Sequence, residues 1–370
     1  MAIFNSIFES YTTDVLDEEL EKVDELGDDV AAEPEGGDDI VKEFCRDFYM
    51  LEATMYVMDI QLETAVFEGA SIESVMENVL TDLIKKAKDS ILKLWNKLKN
   101  WIRDRIRQLK TAVAASTNFV KKHKSDILKK YNKNKKGFKP TGYLYENDKS
   151  FEAAKASITE VRNQARNATG SPEDIDAAMA NVGAKFKGFE GVSLKDVDNI
   201  ETGSLAALGA VMTSACRGTE LEGESVVKES DVQRWIDTCL GAQKTITALS
   251  KDEDDAKKEI SKIIDELKKA EAKAKALKTD AGDTDAANIR NTITFNNRIA
   301  ALVSKVTTVV VNIRCEQFKT YSRYLRQING LKGEDANEED DKTEDVKRIG
   351  TAQPKALTVN KEALSTFGMF

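Results

Sequence analysis

Histidine is nearly missing from this sequence: His123 is the only one in 370 residues. A multi-histidine metal site is therefore impossible, and a histidine-based catalytic pair has one conceivable position. His123 sits in KKHKSD, among lysines and with no apparent nucleophilic partner, and reads as an exposed spectator. The four cysteines (Cys45, Cys216, Cys239, Cys315) lie far apart and form no C-x-x-C pair, so neither a zinc ribbon nor a redox motif can be read. A reduced, intracellular chain is the expectation. Cys216, Cys239 and Cys315 fall within apolar helical patterns and are expected to pack as small buried hydrophobes. There are only four prolines, far below the usual ~5%, so little interrupts a helix. Aromatics are scarce at 7%, a Gly-rich phosphate loop and a fixed-period repeat are both missing, and strand-type alternation is almost absent. No signal peptide opens the sequence. The most apolar stretch, Ile299 to Ile313, is too short to span a bilayer and carries Lys305 and Asn312. A soluble, mostly helical protein is expected.

What is present is charge, unevenly placed. The net charge of −9 conceals a strong polarity along the chain. Residues 1–84 hold 23 Asp and Glu against three basic residues (Lys22, Lys42, Arg46), a balance of −20. Residues 85–139 hold 19 Lys and Arg against three acids (Asp89, Asp104, Asp126), a balance of +16, which leaves −5 for residues 140–370. An average composition does not produce such blocks. They divide the chain into an acidic head, a basic middle and a mildly acidic body. Opposite blocks on one chain can neutralise each other, so the head is a candidate mask for the basic segment until it is displaced or cut away. The alternative is that both are independent solubility features.

Apolar spacing defines the elements. Residues 1–26 carry Ile3, Phe4, Ile7, Phe8, Tyr11, Val15, Leu16, Leu20 and Val23 at helical intervals, and read either as an amphipathic helix or as an acidic solvated tail. Gly27 to Asp39 is a flexible acidic linker with Pro34, Gly36 and Gly37 as breakers. Ile40 to Phe67 shows a core-facing stripe (Val41, Phe44, Phe48, Leu51, Met55, Met58, Leu62, Val66); Gly69 breaks it, and Ser71 is placed to cap the next helix. In that next helix the apolar steps are three and four from Met76 through Ile84, Ile91, Trp95, Leu98, Trp101 and Ile106 to Leu109, and lysines and arginines fill the other face. Small residues from Thr111 to Asn118 suggest a joint. A second basic run follows, Val120 to Lys139, where Gly137 and Pro140 end any helix.

Residues 140–150 form a linker with strand character around Tyr143 to Tyr145. Phe151 to Asn167 predicts a helix, and Ser171-Pro172-Glu173-Asp174 supplies an N-cap, a first-turn proline and two first-turn acids for the next. Lys185 to Ser193 is loop-like, and a helix is expected from Leu194 to Cys216. Ser230-Asp231-Val232-Gln233 reads as a capping box opening a long helix to Lys278, which should pair antiparallel with the last helix, 284–330. The expected fold is all-α: an elongated multi-helix protein with long antiparallel helices, an acidic flexible N-terminal segment (1–39), helical regions 40–139 and 151–331 joined by the linker, and a disordered acidic C-terminal tail (332–370).

The basic amphipathic helix has three readings. It contacts the phosphates of a nucleic acid, which needs only a dense row of Lys and Arg because neutralising phosphates releases counterions. It lies in an anionic membrane interface, where Trp95 and Trp101 would insert. Or it is a core helix with an incidental basic face. The binding candidates are Lys93, Lys97, Lys99, Arg103, Arg105, Arg107 and Lys110, with Lys121, Lys122, Lys124, Lys129, Lys130, Lys133, Lys135 and Lys136 adding charge. The second run has few apolar anchors (Ile127, Leu128, Tyr131), which favours a polyanion over lipid. Asp252 to Asp255 (DEDD) lacks the glycine turn of a calcium loop and reads as a solvated face. No enzyme constellation, metal site or cofactor motif emerges.

Several segments resemble virion proteins of large tailed bacteriophages: LEATMYVMDIQLETAVFEGASIESVMENV, the Trp-containing KLWNKLKNWIRD, FVKKHKSDILKKYNKNKKGFKPTGYLYEND, and FKTYSRYLRQI near the end of the last helix. The resemblance covers about two-thirds of the chain and rests on texture, with no catalytic motif. It implies a non-enzymatic structural protein of the particle, inside the head with the genome, with DNA or other virion proteins as partners and a homo-oligomer compatible with the role. Outside a virion the place would be the bacterial host cytoplasm. The resemblance also implies an N-terminal piece removed by a head-maturation protease that cuts after glutamate; Glu35-Gly36 and Glu68-Gly69 are the candidate bonds.

Overall fold

The computed structural model describes residues 36–67, 72–145, 148–168, 170–192, 203–221, 227–276 and 283–331. The expected helix at 1–26, the processing candidates Glu35 and Glu68, the Ser71 cap, the first part of the 194–216 helix and the acidic tail from 332 lie outside these residues. The chain divides into two units, 1–331 and 332–370, and all the structure below belongs to the first.

The described fold is all-α, with one two-stranded ladder. Its helices are α1 (Gly37–Phe67), α2 (Ile72–Lys133), α3 (Asp148–Asn167), α4 (Pro172–Ala184), α5 (Leu205–Arg217), α6 (Glu229–Leu240), α7 (Ala242–Lys275) and α8 (Asp283–Asn329). Strands β1 (Gly142–Leu144) and β2 (Thr219–Leu221) pair antiparallel, with Tyr143 opposite Glu220. At 62 residues α2 is roughly 93 Å long at 1.5 Å per residue. It runs unbroken through Thr111 to Asn118, where a joint was expected. Alanine, threonine and serine carry no helix-breaking geometry, and Ser116 turns inward to meet the Ser322 hydroxyl at 2.6 Å.

Cross-helix pairs give the directions. Ser116 meets Ser322 and the Arg326 guanidinium covers Phe119, so α2 and α8 run parallel. Lys88 pairs with Glu271 and the Thr117 hydroxyl donates to the Cys239 carbonyl, so α6 and α7 run antiparallel to α2. Arg314 pairs with Asp252, and α7 is antiparallel to α8 as well, as the sequence predicts. The three long helices share one contiguous core. It includes Leu98, Ile102 and Leu109 of α2, Ile260, Ile263 and Leu267 of α7, and Val303, Val310 and Phe318 of α8. Helix α1 lies antiparallel along α2, burying Ile40, Val41, Phe44, Phe48 and Leu51.

Several helix boundaries depart from expectation. Helix α1 begins at Gly37, inside the expected linker. Helix α5 begins at Leu205, with the Ser204 hydroxyl accepting from the Ala207 N–H as its cap, so the helix expected from Leu194 does not run through Gly203 and Ser204. The helix predicted from Ser230 to Lys278 is two helices, separated by a turn at Gly241. The first begins at Glu229, and the Asp231 carboxylate caps it by accepting from the Lys228 N–H at 2.9 Å, so Ser230 is inside the helix. At α4 the expected cap is present. Ser171 Oγ accepts from the Asp174 N–H at 3.2 Å, and the Asp174 carboxylate accepts from the Ser171 N–H at 3.1 Å.

The segment after α2 folds back tightly. Phe138 sits edge-on to Tyr131, Trp235 and Tyr324, and Trp235 also packs against Tyr321, giving an aromatic knot that joins the ends of α2 and α8 to α6. Gly142 has φ +133°, and a Cβ there would stand 2.7 Å from the Tyr324 hydroxyl oxygen, so glycine is required where β1 begins. The Tyr324 hydroxyl and the Arg323 guanidinium both donate to the Thr141 carbonyl.

Candidate polyanion interface

The apolar stripe of α2 is core, as its spacing requires. Trp95 and Trp101 are 2% and 3% exposed, so in this packing neither indole is presented to a bilayer. Among the described residues no helix is long and apolar enough to cross a membrane.

The basic face divides into two halves. In the first, nearly every cation is engaged. Lys93 lies 3.5 Å from Glu43 and 3.6 Å from Asp47, and Lys97 pairs with Glu43, all across the α1 contact. These lysines hold the Glu43 carboxyl below its ordinary pKa. Arg103 reaches Glu253 at 3.3 Å, and Arg107 reaches Asp104 at 2.8 Å. Arg105 is half-buried, its guanidinium 5.4 Å from the Trp101 ring. Lys99 is only 4% exposed, and burial pushes its pKa down. It was expected as a phosphate contact and is instead inside the α2–α7 packing, so it is withdrawn from the interface.

The second half is different. Lys110, Lys121, Lys122, Lys124, Lys129 and Lys133 are exposed, and among the described residues none has an ion-pair partner. Between Lys110 and Lys133 the only acid on the helix is Asp126. At 1.5 Å per residue this strip is about 35 Å long. Lys130 is drawn out of it, donating to the Asn329 carbonyl at the last turn of α8. That contact satisfies a helix-end acceptor and ties the two long helices together. Lys135 is exposed beyond the helix with its ammonium 5.7 Å from the Tyr131 ring, and the Lys136 side chain lies outside the described residues.

The flanks of the strip come from other elements. On the α8 side the Arg326 guanidinium stacks 4.5 Å from Phe119, whose ring is 5.0 Å from His123. His123 is half-buried rather than exposed, because it packs on that ring. Arg326 is exposed, as are Lys319 and Arg323 at four- and three-residue spacing on the same helix. These cations were missed in the sequence because they lie in an otherwise apolar helix; their common spacing is the signal that would have found them. On the opposite flank, α6 brings Glu229 and Asp231 near Tyr131, and burial, with these acids, pushes the Tyr131 phenol pKa up. The strip is thus bordered by cations on one side and acids on the other.

A second charged region separates α3 from α7. Lys155 reaches Asp252 at 3.3 Å and Asp255 at 3.5 Å, Arg162 pairs with Glu259, and Arg166 with Glu266. Under this ladder is a groove of about 730 Å³ floored by Val306, Thr307 and Val310. The DEDD run is therefore not simply a solvated face. Asp252 is 3% exposed, and its carboxylate accepts from the Arg314 Nε at 3.0 Å, while the Arg314 guanidinium lies 4.2 Å from the Phe151 ring. Burial pushes the Asp252 pKa up against the pull of Arg314 and Lys155. Among the described residues no group of His, Cys, Asp or Glu is arranged to hold a metal. Cys216 and Cys239 are buried, as expected, with thiol pKa values pushed up to about 12, and Cys315 to about 11.

No protein-family model matches the chain, and no curated protein or solved structure does.

Proposed function

We propose that this is a non-enzymatic structural protein of a phage particle, inside the head, that contacts DNA without sequence preference through the outer strip of α2. The observation that carries the DNA contact is the row of Lys110, Lys121, Lys122, Lys124, Lys129 and Lys133: exposed, unpaired among the described residues, and mounted on a helix whose opposite face is core. Such a row needs no base-reading groups, since its free energy comes from counterion release. The placement in a particle is supported by the resemblance of the α1–α2, α2–β1 and α8 segments to virion proteins.

Duplex binding measured by fluorescence anisotropy tests the contact. Two unrelated sequences should bind alike. With about five phosphates neutralised, log K should fall with log salt at a slope near −4.5. The variant Lys121→Ala/Lys122→Ala/Lys129→Ala/Lys133→Ala should bind at least tenfold more weakly with a shallower slope, and unchanged binding would overturn the assignment. Mass spectrometry of gradient-purified particles from the source tests the placement. Many copies are expected, those starting at Gly36 or Gly69 indicate cleavage, and absence from the particle rejects the placement.

A further inference from the structure

Helix α1 is tied along both flanks of its buried stripe to three lysines from two different helices. Glu43 and Asp47 engage Lys93 and Lys97 of α2, and Asp38 engages Lys305 of α8 at 2.6 Å. Beneath its first turn the approach is very close: a Cβ on Gly37 would stand 2.4 Å from Thr308 Cγ2 and 2.8 Å from Trp101 Cζ2. Two hydrogen-bond donors here are buried and have no partner among the described residues, the Trp101 indole Nε1–H and the Ser304 hydroxyl. Ser304 adjoins Lys305 in sequence and lies one turn before Thr308. Buried donors are ordinarily satisfied, and the Trp101 ring lies directly against the first turn of α1, which brings its N–H no acceptor.

Three ammonium groups and two unsatisfied donors make a set suited to an oxyanion. Phosphate oxygens accept from ammonium, indole and hydroxyl alike. We propose that the surface under α1, formed by Lys93, Lys97, Lys305, Trp101 and Ser304, is a second polyphosphate site, which the carboxylates of Asp38, Glu43 and Asp47 occupy and a phosphate backbone opens by displacing α1. The ligand class rests on the reading that the α2 strip binds phosphate, but the site is separate from the strip and is tested separately. It also replaces a general electrostatic mask with three named carboxylates. The apolar face of α1 keeps the site closed in the absence of polyanion.

The test uses the full chain and long-chain inorganic polyphosphate. Hydrogen exchange of α1 amides is followed with and without saturating polyphosphate. Acceleration in α1, with the α7 and α8 amides unchanged, supports the site; α1 exchange that polyphosphate does not alter overturns it. Independently, Asp38→Asn/Glu43→Gln/Asp47→Asn should bind polyphosphate about tenfold more tightly with a steeper salt slope, and adding Lys93→Gln/Lys97→Gln/Lys305→Gln should remove that gain. No gain in a folded triple variant overturns the proposal. Loss of binding in the four-alanine strip variant with no gain here leaves the strip standing and rejects this site. A gain here with an inert strip does the reverse.

Discussion

At the scale of single residues the informative position is Asp252. It falls three residues after Leu249 and four before Ala256, on the buried stripe of α7, yet its neighbours Glu253, Asp254 and Asp255 make the run look like solvated charge. Spacing alone therefore marks it as inward, and only the partner was illegible, because Arg314 lies 62 residues away. Removing one member of a buried pair leaves the other uncompensated, which costs about 3–5 kcal/mol. Asp252→Asn should lower unfolding stability by about that much in urea titration, while Glu152→Gln, at the exposed end of the same cluster, should change it by less than ~1 kcal/mol. The buried thiols give a second residue-scale expectation. With pKa values near 12 and no solvent access, Cys216 and Cys239 should fail to react with a thiol reagent at pH 8 until the chain is unfolded.

Among elements, α1 is one whose hold depends on pH. The folded-state pKa of Glu43 is depressed by Lys97 and Lys93, so its contribution to stability is fully present above the ordinary glutamate value of 4.5 and is lost as pH falls through the folded value. Acidification below that range should loosen α1 and move Trp101 toward water, seen as a red shift in tryptophan emission, and Glu43→Gln should flatten that dependence. Long periodic runs made α1, α2 and α8 legible, since apolar steps of three and four over many turns admit one solution. The joint expected at Thr111 to Asn118 and the single helix expected from Ser230 to Lys278 were misread for opposite reasons. Small residues look weak but break nothing, while Gly241, which does end a helix, sits inside a pattern that continues on both sides of it. Strand β2, three residues long, has no periodicity of its own; it exists because β1 lies beside it.

Across the whole molecule the charge blocks were plain in the sequence, but not how they are spent. The acids of α1 meet Lys93 and Lys97, those of α7 meet Lys88 and Arg103, and what is left over gathers at the far end of α2. Which lysines remain depends on helix directions, and those depend on contacts between residues hundreds of positions apart. Because α2, α7 and α8 share one core, Trp95 and Trp101 near one part of it and Trp235 in the aromatic knot should report the same main transition. Thermal melts followed by tryptophan fluorescence and by helical circular dichroism should coincide, and separate midpoints would mean that the knot is an independent unit. Helix α2, neutralised over its first half and bare over its second, has one further consequence. In the field of a polyanion the two halves feel unequal pulls, so α2 experiences a torque as well as an attraction. On the proposed reading it would arrive with its Lys133 end leading, and the bound state would have a preferred direction before any contact had formed.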